Sequence, residues 1–569
     1  MSLRHVQGFL RKAPLTMHLL RMKTLTSRFP AVAVSKGPFH EKVMDAMREH
    51  AENPSKIALI CGDGRAENLT YKELLYQTEA AASYLFRGGF GRDEVACLVM
   101  SNSPAFVISH LAVMKCGGVV TTTDTSVSAE DLEQQISETE ASVVFTDEEA
   151  LDTVLPLAQK YDLKKVICVR SPCATGPLPD GVINFQKLVL GPASEIIPSE
   201  DYNSTDIALV PYDTAANGLL VGSMLTHESV STAADIYKKC MHNMMGHKNY
   251  HDISQEQLLF CSSLANIFGL LCMDIALILG FTSVILKDYA HTAFLNALHC
   301  YRPRLLIAEP KAIVAALKQP VPEDFNISSL EYVLCSGPVV GKSVRQDFLE
   351  RFPSVKYMSD GAGQISGAPA ALIPNVANKD CSEYGNCVVG TSETKVVCAG
   401  KELEENELGE IYVRGPTVMQ GYVDDGEPID ADGWFHTGEV GHFDQHDNIF
   451  VDGRLDDFIN VCGNQVCLNE IEDALLCHPA ILDAAVVGTE DQETVSAFVV
   501  PFDDALTTDD VKLYIKDRVK ESYKQLNGGI EFIEKIPRSP YGHVLRDELA
   551  SRISRRVKEK EVEVEMNSE

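Results

Sequence analysis

Short apolar, β-branched runs alternate with longer amphipathic stretches over most of the first 340 residues. In the stretch YKELLYQTEAAASYLF at 71–86, apolar positions recur every three to four residues, which predicts a helix. The short runs are typical of buried strands; they are EVACLVM at 94–100, SVVFTD at 142–147, KVICV at 165–169, SVILKD at 283–288, RLLIAE at 304–309 and YVLCSG at 332–337. Repeated alternation of strand and helix predicts an α/β fold with parallel sheets covered by helices on both faces.

The pattern changes near residue 400. The segments GEIYVRG at 409–415 and NIFVDGR at 448–454 are short, with Gly and Asp between them, which favours antiparallel strands. Beyond Arg454 the sequence predicts a small α+β unit with strands DAAVVGT and TVSAFVVPFD. Its helices are predicted to begin at Asn469, with Glu472 three residues on, and at Thr507, with Asp510 three residues on, the second running to residue 526.

One apolar run, at 258–286, is long enough to cross a bilayer. Asp274, Asn266 and two serines interrupt it. A charged residue near the centre of a bilayer costs about 3 kcal/mol or more, whereas a helix and strand in a buried α/β core have the same composition without that cost. The run therefore predicts a core helix and strand, and no transmembrane segment.

The charge excludes some classes of partner. With 50 Lys plus Arg against 81 Asp plus Glu, the formal net charge is −31, which disfavours binding to nucleic acid and to an anionic membrane surface. The 16 cysteines show no Cys-x-x-Cys and no zinc spacing, and a chain of 569 residues does not need disulfides to fold. We expect a reducing, intracellular protein, and assign no metal-ligating set of residues.

The N-terminal segment differs from the rest. Residues 1–40 contain no Asp or Glu but seven basic residues: Arg4, Arg11, Lys12, Arg21, Lys23, Arg28 and Lys36. A basic, acid-free stretch with interspersed leucines is typical of a mitochondrial transit peptide, which we predict for residues 1–37. The alternative is a disordered basic arm on a cytoplasmic protein. At the other end, residues 551–569 are predicted to be a solvated charged tail.

Three long motifs in the second half identify a family. They are GEIYVRGPTVMQGYV at 409–423, DGWFHTGEVG at 432–441 and FVDGRLDDFINVCGNQVCLNEIEDALLCHPAILDAAVVG at 450–488. Together they closely resemble the adenylate-forming, AMP-binding superfamily of acyl-CoA synthetases, coumarate-CoA ligases and luciferases, and the resemblance covers roughly residues 45–550.

The resemblance implies a two-part architecture. A large N-terminal domain over 38–452 is expected to contain two αβαβα layers and a distorted β-barrel. A small C-terminal α+β lid domain over 453–550 follows, hinged near Asp452, Gly453 and Arg454. In this family the lid turns between an adenylating and a thioester-forming pose.

The resemblance also implies which residues bind nucleotide and acyl-CoA. It assigns the nucleotide positions to Ser336, Gly337, Pro338, Asp360, Gly361, Glu439 and Arg454, and the substrate and CoA path to Asn266 and Gly463. Glu439 replaces an Asp that accepts hydrogen bonds from the ribose hydroxyls, and a longer carboxylate can still do so. A structural role stays open for several of them, because the glycines could be turn residues and Arg454 a salt-bridge partner of the lid.

The positions that contact phosphate and Mg²⁺ in the family are changed. In the phosphate loop, Asp213 stands where the family has a hydroxyl residue and Val221 where it has a Lys. Ile365 and Ser366 replace the Thr and the Mg²⁺-binding Glu, and neither is a hard oxygen ligand of equal strength. His543 replaces the lid Lys that bridges the attacking carboxylate and the α-phosphate, and it is either a weak catalytic substitute or a loop residue without a role.

Two classes of function follow from these changes. The first is a pseudoenzyme that still binds ATP or AMP, CoA derivatives, a carboxylate or a protein partner, but adenylates poorly. Loss of one such electrostatic contact costs about 2–4 kcal/mol of transition-state stabilisation, and several are lost together. The second is an active ATP-dependent ligase of fatty or aryl acids, with Mg²⁺ held in a rearranged site by Asp213 or Asp360. The sequence favours the first.

Overall fold

The computed structural model describes residue 25 and residues 31–64, 66–171, 174–193, 202–215, 218–246, 250–335, 337–359, 367–374, 386–388, 390–424, 426–488, 494–502, 505–539 and 542–553. The helices within them are α1 (Phe39–His50), α2 (Tyr71–Arg87), α3 (Pro104–Lys115), α4 (Ala129–Thr139), α5 (Leu151–Lys160), α6 (Gln186–Val189), α7 (His227–Met245), α8 (Tyr250–Ile253), α9 (Ile267–Leu279), α10 (His291–Tyr301), α11 (Pro310–Lys318), α12 (Lys342–Arg351), α13 (Leu468–Leu476) and α14 (Thr508–Arg518).

Two mainly parallel sheets form the first part of the large domain. The first sheet has the order β10-β8-β4-β3-β5-β6-β7, with β9 paired to β8, and the second has the order β15-β14-β13-β11-β12-β1-β2. The strands are β1 (Ile57–Cys61), β2 (Leu69–Thr70), β3 (Val95–Val99), β4 (Val119–Thr123), β5 (Val143–Asp147), β6 (Lys165–Val169), β7 (Val182–Asn184), β8 (Ile207–Thr214), β9 (Leu220–Gly222), β10 (Leu225–Thr226), β11 (Gln257–Cys261), β12 (Thr282–Ile285), β13 (Leu305–Ala308), β14 (Tyr332–Cys335) and β15 (Tyr357–Met358). Only β2, β9 and β10 pair antiparallel to their neighbours in these described strands. The α/β class that the sequence predicts is confirmed.

Antiparallel strands dominate the remainder. A third sheet has the order β16-β17-β22-β21-β20-β18-β19 and stands where the resemblance implies the distorted barrel. The C-terminal domain has a two-stranded sheet, β23-β24, and a three-stranded sheet, β25-β26-β27. These strands are β16 (Leu372–Pro374), β17 (Asn386–Val388), β18 (Glu393–Cys398), β19 (Lys401–Glu402), β20 (Gly409–Arg414), β21 (Phe435–Phe443), β22 (Ile449–Arg454), β23 (Phe458–Val461), β24 (Asn464–Cys467), β25 (Ile481–Gly488), β26 (Val495–Pro501) and β27 (Gly529–Phe532).

Alternate residues of each parallel strand enter different cores. On β3, Leu98 joins the main core while Cys97 and Val99 pack against α4 and α5 on the opposite face. On the second sheet, Leu258 enters the main core and Leu259 packs toward α10, α11 and α12. This two-residue periodicity places helices on both faces of each sheet.

The long apolar run at 258–286 forms β11, α9 and β12; the core helix and the strand after it were predicted, and β11 was not. Every residue of α9 is buried, and Asp274 lies 3.0 Å from Nε2 of the equally buried His110 on α3. His110 thus gives Asp274 the polar partner that a buried acidic residue needs in a protein core. No helix in the described residues is both long enough and apolar enough to span a membrane.

Two details of the C-terminal domain differ from the prediction. The helix expected at Asn469 begins at Leu468, and the side-chain oxygen of Asn469 accepts from Arg546 at 3.0 Å instead of capping the helix. Thr507 and Asp510 form the predicted capping box of α14, but this helix ends at Arg518. Val519 leaves the helical conformation and is buried in the core of the C-terminal domain, so tertiary packing ends the helix earlier than local pattern suggests.

Candidate functional site

The hairpin β8–β9 occupies the position of the family's phosphate loop. Asp213 and Val221 are directly opposite each other on the two antiparallel strands, so their side chains lie on the same face. The turn is closed by the Ala215 N–H, which donates to the carbonyl of Leu219 at 2.8 Å. The Thr214 N–H donates to the carboxylate of Asp213 at 2.7 Å, so this backbone donor already has an anionic acceptor. Ala216 and Asn217 of the loop lie outside the described residues.

A loop of the C-terminal domain that carries Ser539, Gly542 and His543 reaches this hairpin. Nε2 of His543 lies 3.5 Å from Oδ1 of Asp213, and both side chains are largely buried. The loop is fixed by the Ser539 N–H, which donates to the carbonyl of His543 at 2.8 Å. Gly542 has φ +90°, and a Cβ there would lie 3.7 Å from Cδ of Pro338 on the adenine-side loop. The lid is therefore closed over the edge of the large domain where the predicted nucleotide residues lie.

A second strand pair carries the predicted ribose residue. Glu439 on β21 is directly opposite Arg454 on β22. Burial, together with the nearby carboxylates of Asp457, Asp213 and Asp456, raises the pKa of Glu439 to about 8, against the opposing effect of Arg454. Glu439 is then mostly protonated at neutral pH. A protonated carboxyl can both donate to and accept from hydroxyl groups, which suits contact with a ribose.

Arg546, three residues after His543, connects the loop that carries His543 to the segment just after the hinge. Its guanidinium donates to Asp457 Oδ1 from Nη2 at 2.6 Å and to Glu472 Oε1 from Nη1 at 2.5 Å. It also donates to the carbonyl of Val486 and to Asn469. Burial opposes ionisation of Asp457, but the charge of Arg546 together with hydrogen bonds from the Arg454 N–H, Arg546 and Asn469 lowers the pKa of Asp457. Arg546 thus holds together the segment after the hinge, helix α13 and the loop that carries His543.

The balance of charge suits a nucleoside better than a triphosphate. Asp213, Glu439 and Asp456 all act electrostatically on Arg454. The lysine that the family places in its phosphate loop is absent, and the imidazole of His543 faces Asp213. In the described residues no three His, Cys, Asp or Glu side chains come together in an arrangement that could hold a metal ion. Among the described residues around the lid, the acids Asp213, Glu439 and Asp456 suit the hydroxyl groups of a ribose better than the phosphates of Mg²⁺-ATP.

The structure brings together only some of the predicted site residues. Pro338, Glu439, Arg454 and His543 lie around the closed lid. Gly337 precedes Pro338 and has φ +81°, a conformation that favours glycine. Ser336, Asp360, Gly361, Ile365 and Ser366 lie outside the described residues.

The two residues assigned to the substrate and CoA path have local structural roles. Asn266 is the N-cap of α9, where its side chain accepts from the Phe268 N–H at 2.9 Å. Gly463 lies in the tight turn between β23 and β24 with φ +85°, and a Cβ there would meet open space. Their functional assignments stay predictions from the resemblance.

Sequence reasoning did not single out Asp457 or Arg546, or the meeting of Asp213 with His543. The available signals were the pair Asp456-Asp457 just after the hinge and Arg546, which follows Val544-Leu545 three positions after His543. Neither signal specifies a partner, because the residues that meet are far apart in the chain.

Comparison with known proteins gives a consistent result. Residues 47–423 match the AMP-binding enzyme family, and residues 470–542 match the AMP-binding enzyme C-terminal domain. The chain is 29% identical over 531 residues to 4-coumarate–CoA ligase CCL1 of Humulus lupulus, covering 91% of this chain and 94% of that protein. It is also 29% identical over 524 residues to 4-coumarate–CoA ligase 1 of Petroselinum crispum, covering 88% and 93%.

Solved structures agree in fold. The anthranilate CoA ligase AuaEII in complex with anthranoyl-AMP superposes with a TM-score of 0.75 at 18% identity, covering 93% of this chain and 99% of that one. ATP-bound MatB from Rhodopseudomonas palustris superposes with a TM-score of 0.72 at 19% identity, covering 90% and 98%. The family matches, the large domain with its small C-terminal partner and the sequence motifs together show that this chain belongs to the AMP-binding enzyme family of the adenylate-forming superfamily.

Proposed function

We propose that this protein is an acyl-CoA synthetase-like member of the family in which ATP-dependent adenylation is impaired, while binding of a nucleoside or an acyl-CoA is retained. The observation that carries the proposal is the contact of His543 with Asp213. Two family positions that normally face phosphate face each other here. A carboxylate and an imidazole in contact across the site present no net positive charge to an incoming triphosphate.

The expected loss of rate is large. Val221, Ser366 and His543 replace the residues that supply cations to the phosphates and a ligand to Mg²⁺ in the family. Each such contact is worth about 2–4 kcal/mol in the transition state, although residues acting as one unit are not additive. Retention of Arg454 and of a carboxylate at Glu439 supports continued recognition of the nucleoside.

The alternative is an active carboxylic acid–CoA ligase. Its support is the similarity to 4-coumarate–CoA ligases over nearly the whole chain, which favours an aryl acid among the possible substrates. The test is acid-dependent pyrophosphate exchange with purified protein and a panel of aryl and fatty acids. We expect exchange near background; a turnover of about 1–10³ per second would support the active ligase instead.

A restoring variant tests whether the missing charges are the cause. Because Val221 lies directly opposite Asp213, a Val221→Lys change alone would pair with that carboxylate. The variant therefore combines Asp213→Ser, Val221→Lys, Ser366→Glu and His543→Lys, with Ile365→Thr. We expect pyrophosphate exchange well above the sum of the single variants, and the version that retains Asp213 is the matched control. A folded but inert combined variant would show that the acyl pocket or the lid has also diverged.

Retained binding can be measured separately. Trp434 is the only tryptophan of the chain and lies five residues before Glu439. Nζ of Lys395 lies 4.3 Å and Cζ of Arg414 lies 4.6 Å from the centre of its ring. The protein is titrated with adenosine, AMP, ATP and acyl-CoA, and binding is followed by the fluorescence emission of Trp434 and by calorimetry. We expect heat of binding for adenosine or acyl-CoA; no heat with any ligand would leave only a protein-partner role.

We also propose that the basic N-terminal segment directs mitochondrial import, with its boundary before Leu25. Leu25 is buried in the main core and its N–H donates to the carbonyl of Thr394 at 2.8 Å, which supports a boundary upstream of it. Residues 1–24 lie outside the described residues. A fusion of residues 1–24 to a fluorescent protein should enter mitochondria, and diffuse cytosolic fluorescence would contradict the proposal.

A further inference from the structure

Helix α13 of the C-terminal domain supplies a missing cap to a helix of the large domain. Helix α12 begins after Gly341, which has no side chain to cap it. The carboxylate of Asp473 fills this role: Oδ2 accepts from the Ser343 N–H at 3.0 Å and Oδ1 from the Val344 N–H at 3.1 Å. A negative charge at a helix N-terminus is stabilising, so this contact favours the docked position of the domain.

Glycine at position 341 makes this approach possible. A Cβ at residue 341 would lie 2.0 Å from Oδ1 of Asp473, closer than two such atoms can stand. The backbone at Gly341 has φ −59° and ψ 153°, which any residue adopts without strain. The absence of a side chain at 341 is therefore required by the neighbouring domain and not by the local backbone.

The C-terminal end of α13, about one turn beyond Asp473, is held by a lysine of the large domain. Nζ of Lys318, the last residue of α11, donates to the carbonyls of Leu476 and His478, the second at 2.8 Å. These carbonyls belong to the last turn of α13 and the residues just after it, where a cation is favourable. Leu476 and Cys477 also pack against the core formed by α10, α11 and α12.

We propose that these contacts form a latch that holds the C-terminal domain in the pose in which His543 lies beside Asp213. The latch consists of three contacts. The carboxylate of Asp473 caps the start of α12 beside Gly341, the amine of Lys318 donates to carbonyls at the end of α13, and Leu476 and Cys477 pack against the large domain. Any rotation of the domain about residues 452–454 must break all three. The latch concerns the position of the domain and holds whether or not the site adenylates.

The test breaks the contact of Asp473 with the start of α12 and asks whether the separate contact of Lys318 with the end of α13 is also lost. Gly341→Ala in the full-length protein puts a methyl group against Asp473 without straining its own backbone. The amides of Ser343 and Val344 are followed by hydrogen exchange, and the amine of Lys318 by its rate of labelling with an amine-reactive reagent, both read by mass spectrometry. We expect both rates to rise, by about two- to thirtyfold, as expected for loss of a helix cap.

Matched variants separate a latch from a local cap. Asp473→Ala should raise both rates as Gly341→Ala does, and the double variant should add little, because both changes break one contact. Gly91→Ala, where a Cβ meets open space, should change neither rate. Faster exchange at Ser343 and Val344 with unchanged labelling of Lys318 would show that the cap is only local, and no change in either rate would show that the domain is not held there; both outcomes overturn the proposal.

Discussion

Two antiparallel strand pairs of the site carry an acid, and they differ in what stands opposite. On β21–β22, Glu439 faces Arg454, whereas on β8–β9, Asp213 faces Val221. The first acid has a cation within its own sheet. The second is contacted by a basic residue of the other domain, His543, at 3.5 Å.

Under the proposed function, this difference would let the site keep the ribose half of its ligand and lose the phosphate half. The proposed ribose residue Glu439 and its neighbour Arg454 both lie in the third sheet. The phosphate half depends on a lid residue that is already in contact with protein. A binding partner that brings phosphates must therefore compete with Asp213 for His543, whereas a nucleoside has no such competitor.

Arg546 holds the loop that carries His543 to the segment just after the hinge, and its loss should have the largest effect on stability. Arg546→Met leaves the buried carboxylates of Asp457 and Glu472 without their cation, for an expected loss of about 3–5 kcal/mol. Urea unfolding followed by circular dichroism measures it, with the exposed pair member Arg552→Met as control, expected within about 0.5 kcal/mol. A loss for Arg546→Met no larger than that of the control would contradict the linking role.

The ribose half should show a pH signature of intermediate size. Because the pKa of Glu439 is about 8 in the folded protein and near 4.5 otherwise, the folded state keeps a proton that the unfolded state loses between these values. The free energy of unfolding of the wild type should therefore fall as pH rises from about 4.5 to 8. The Glu439→Gln variant should lack this pH dependence.

The variant should be more stable than wild type by about 3–4 kcal/mol at pH 8, with the difference vanishing near pH 4.5. Urea unfolding at several pH values measures this, with the exposed Glu404→Gln as control. Parallel pH profiles for Glu439→Gln and wild type would disprove the raised pKa.

The phosphate half should respond through charge, with the smallest effect. Asp213→Asn removes one negative charge and retains an oxygen that can accept from the Thr214 N–H. ATP affinity should rise by about three- to tenfold at low salt, and less at high salt, because the interaction is Coulombic. Calorimetry with adenosine is the internal control, since adenosine carries no phosphate. An equal gain for adenosine and ATP would mean that the change acts on shape and not on charge.

Local pattern predicted the secondary structure where neighbours in sequence decide it. The strand at 165–169 and the capping box of Thr507 with Asp510 both depend on a few adjacent residues, and both are confirmed. The start expected at Asn469 was wrong, because its side-chain oxygen, the group that would cap a helix, accepts from Arg546 far along the chain. The early end of α14 at Arg518 likewise follows from burial of Val519 in the domain core.

The sequence by itself determined the family, the alternation of strands and helices, and which residues at the phosphate and lid positions were changed. These properties follow from periodicity and from motifs, each contained in a short stretch of chain. Only the tertiary structure decided that His543 meets Asp213, that Arg546 holds Asp457, and that Asp473 caps a helix of the other domain. The physical reason is that each contact joins segments far apart in the chain, so packing within and between the domains, not local sequence, brings their charges within reach.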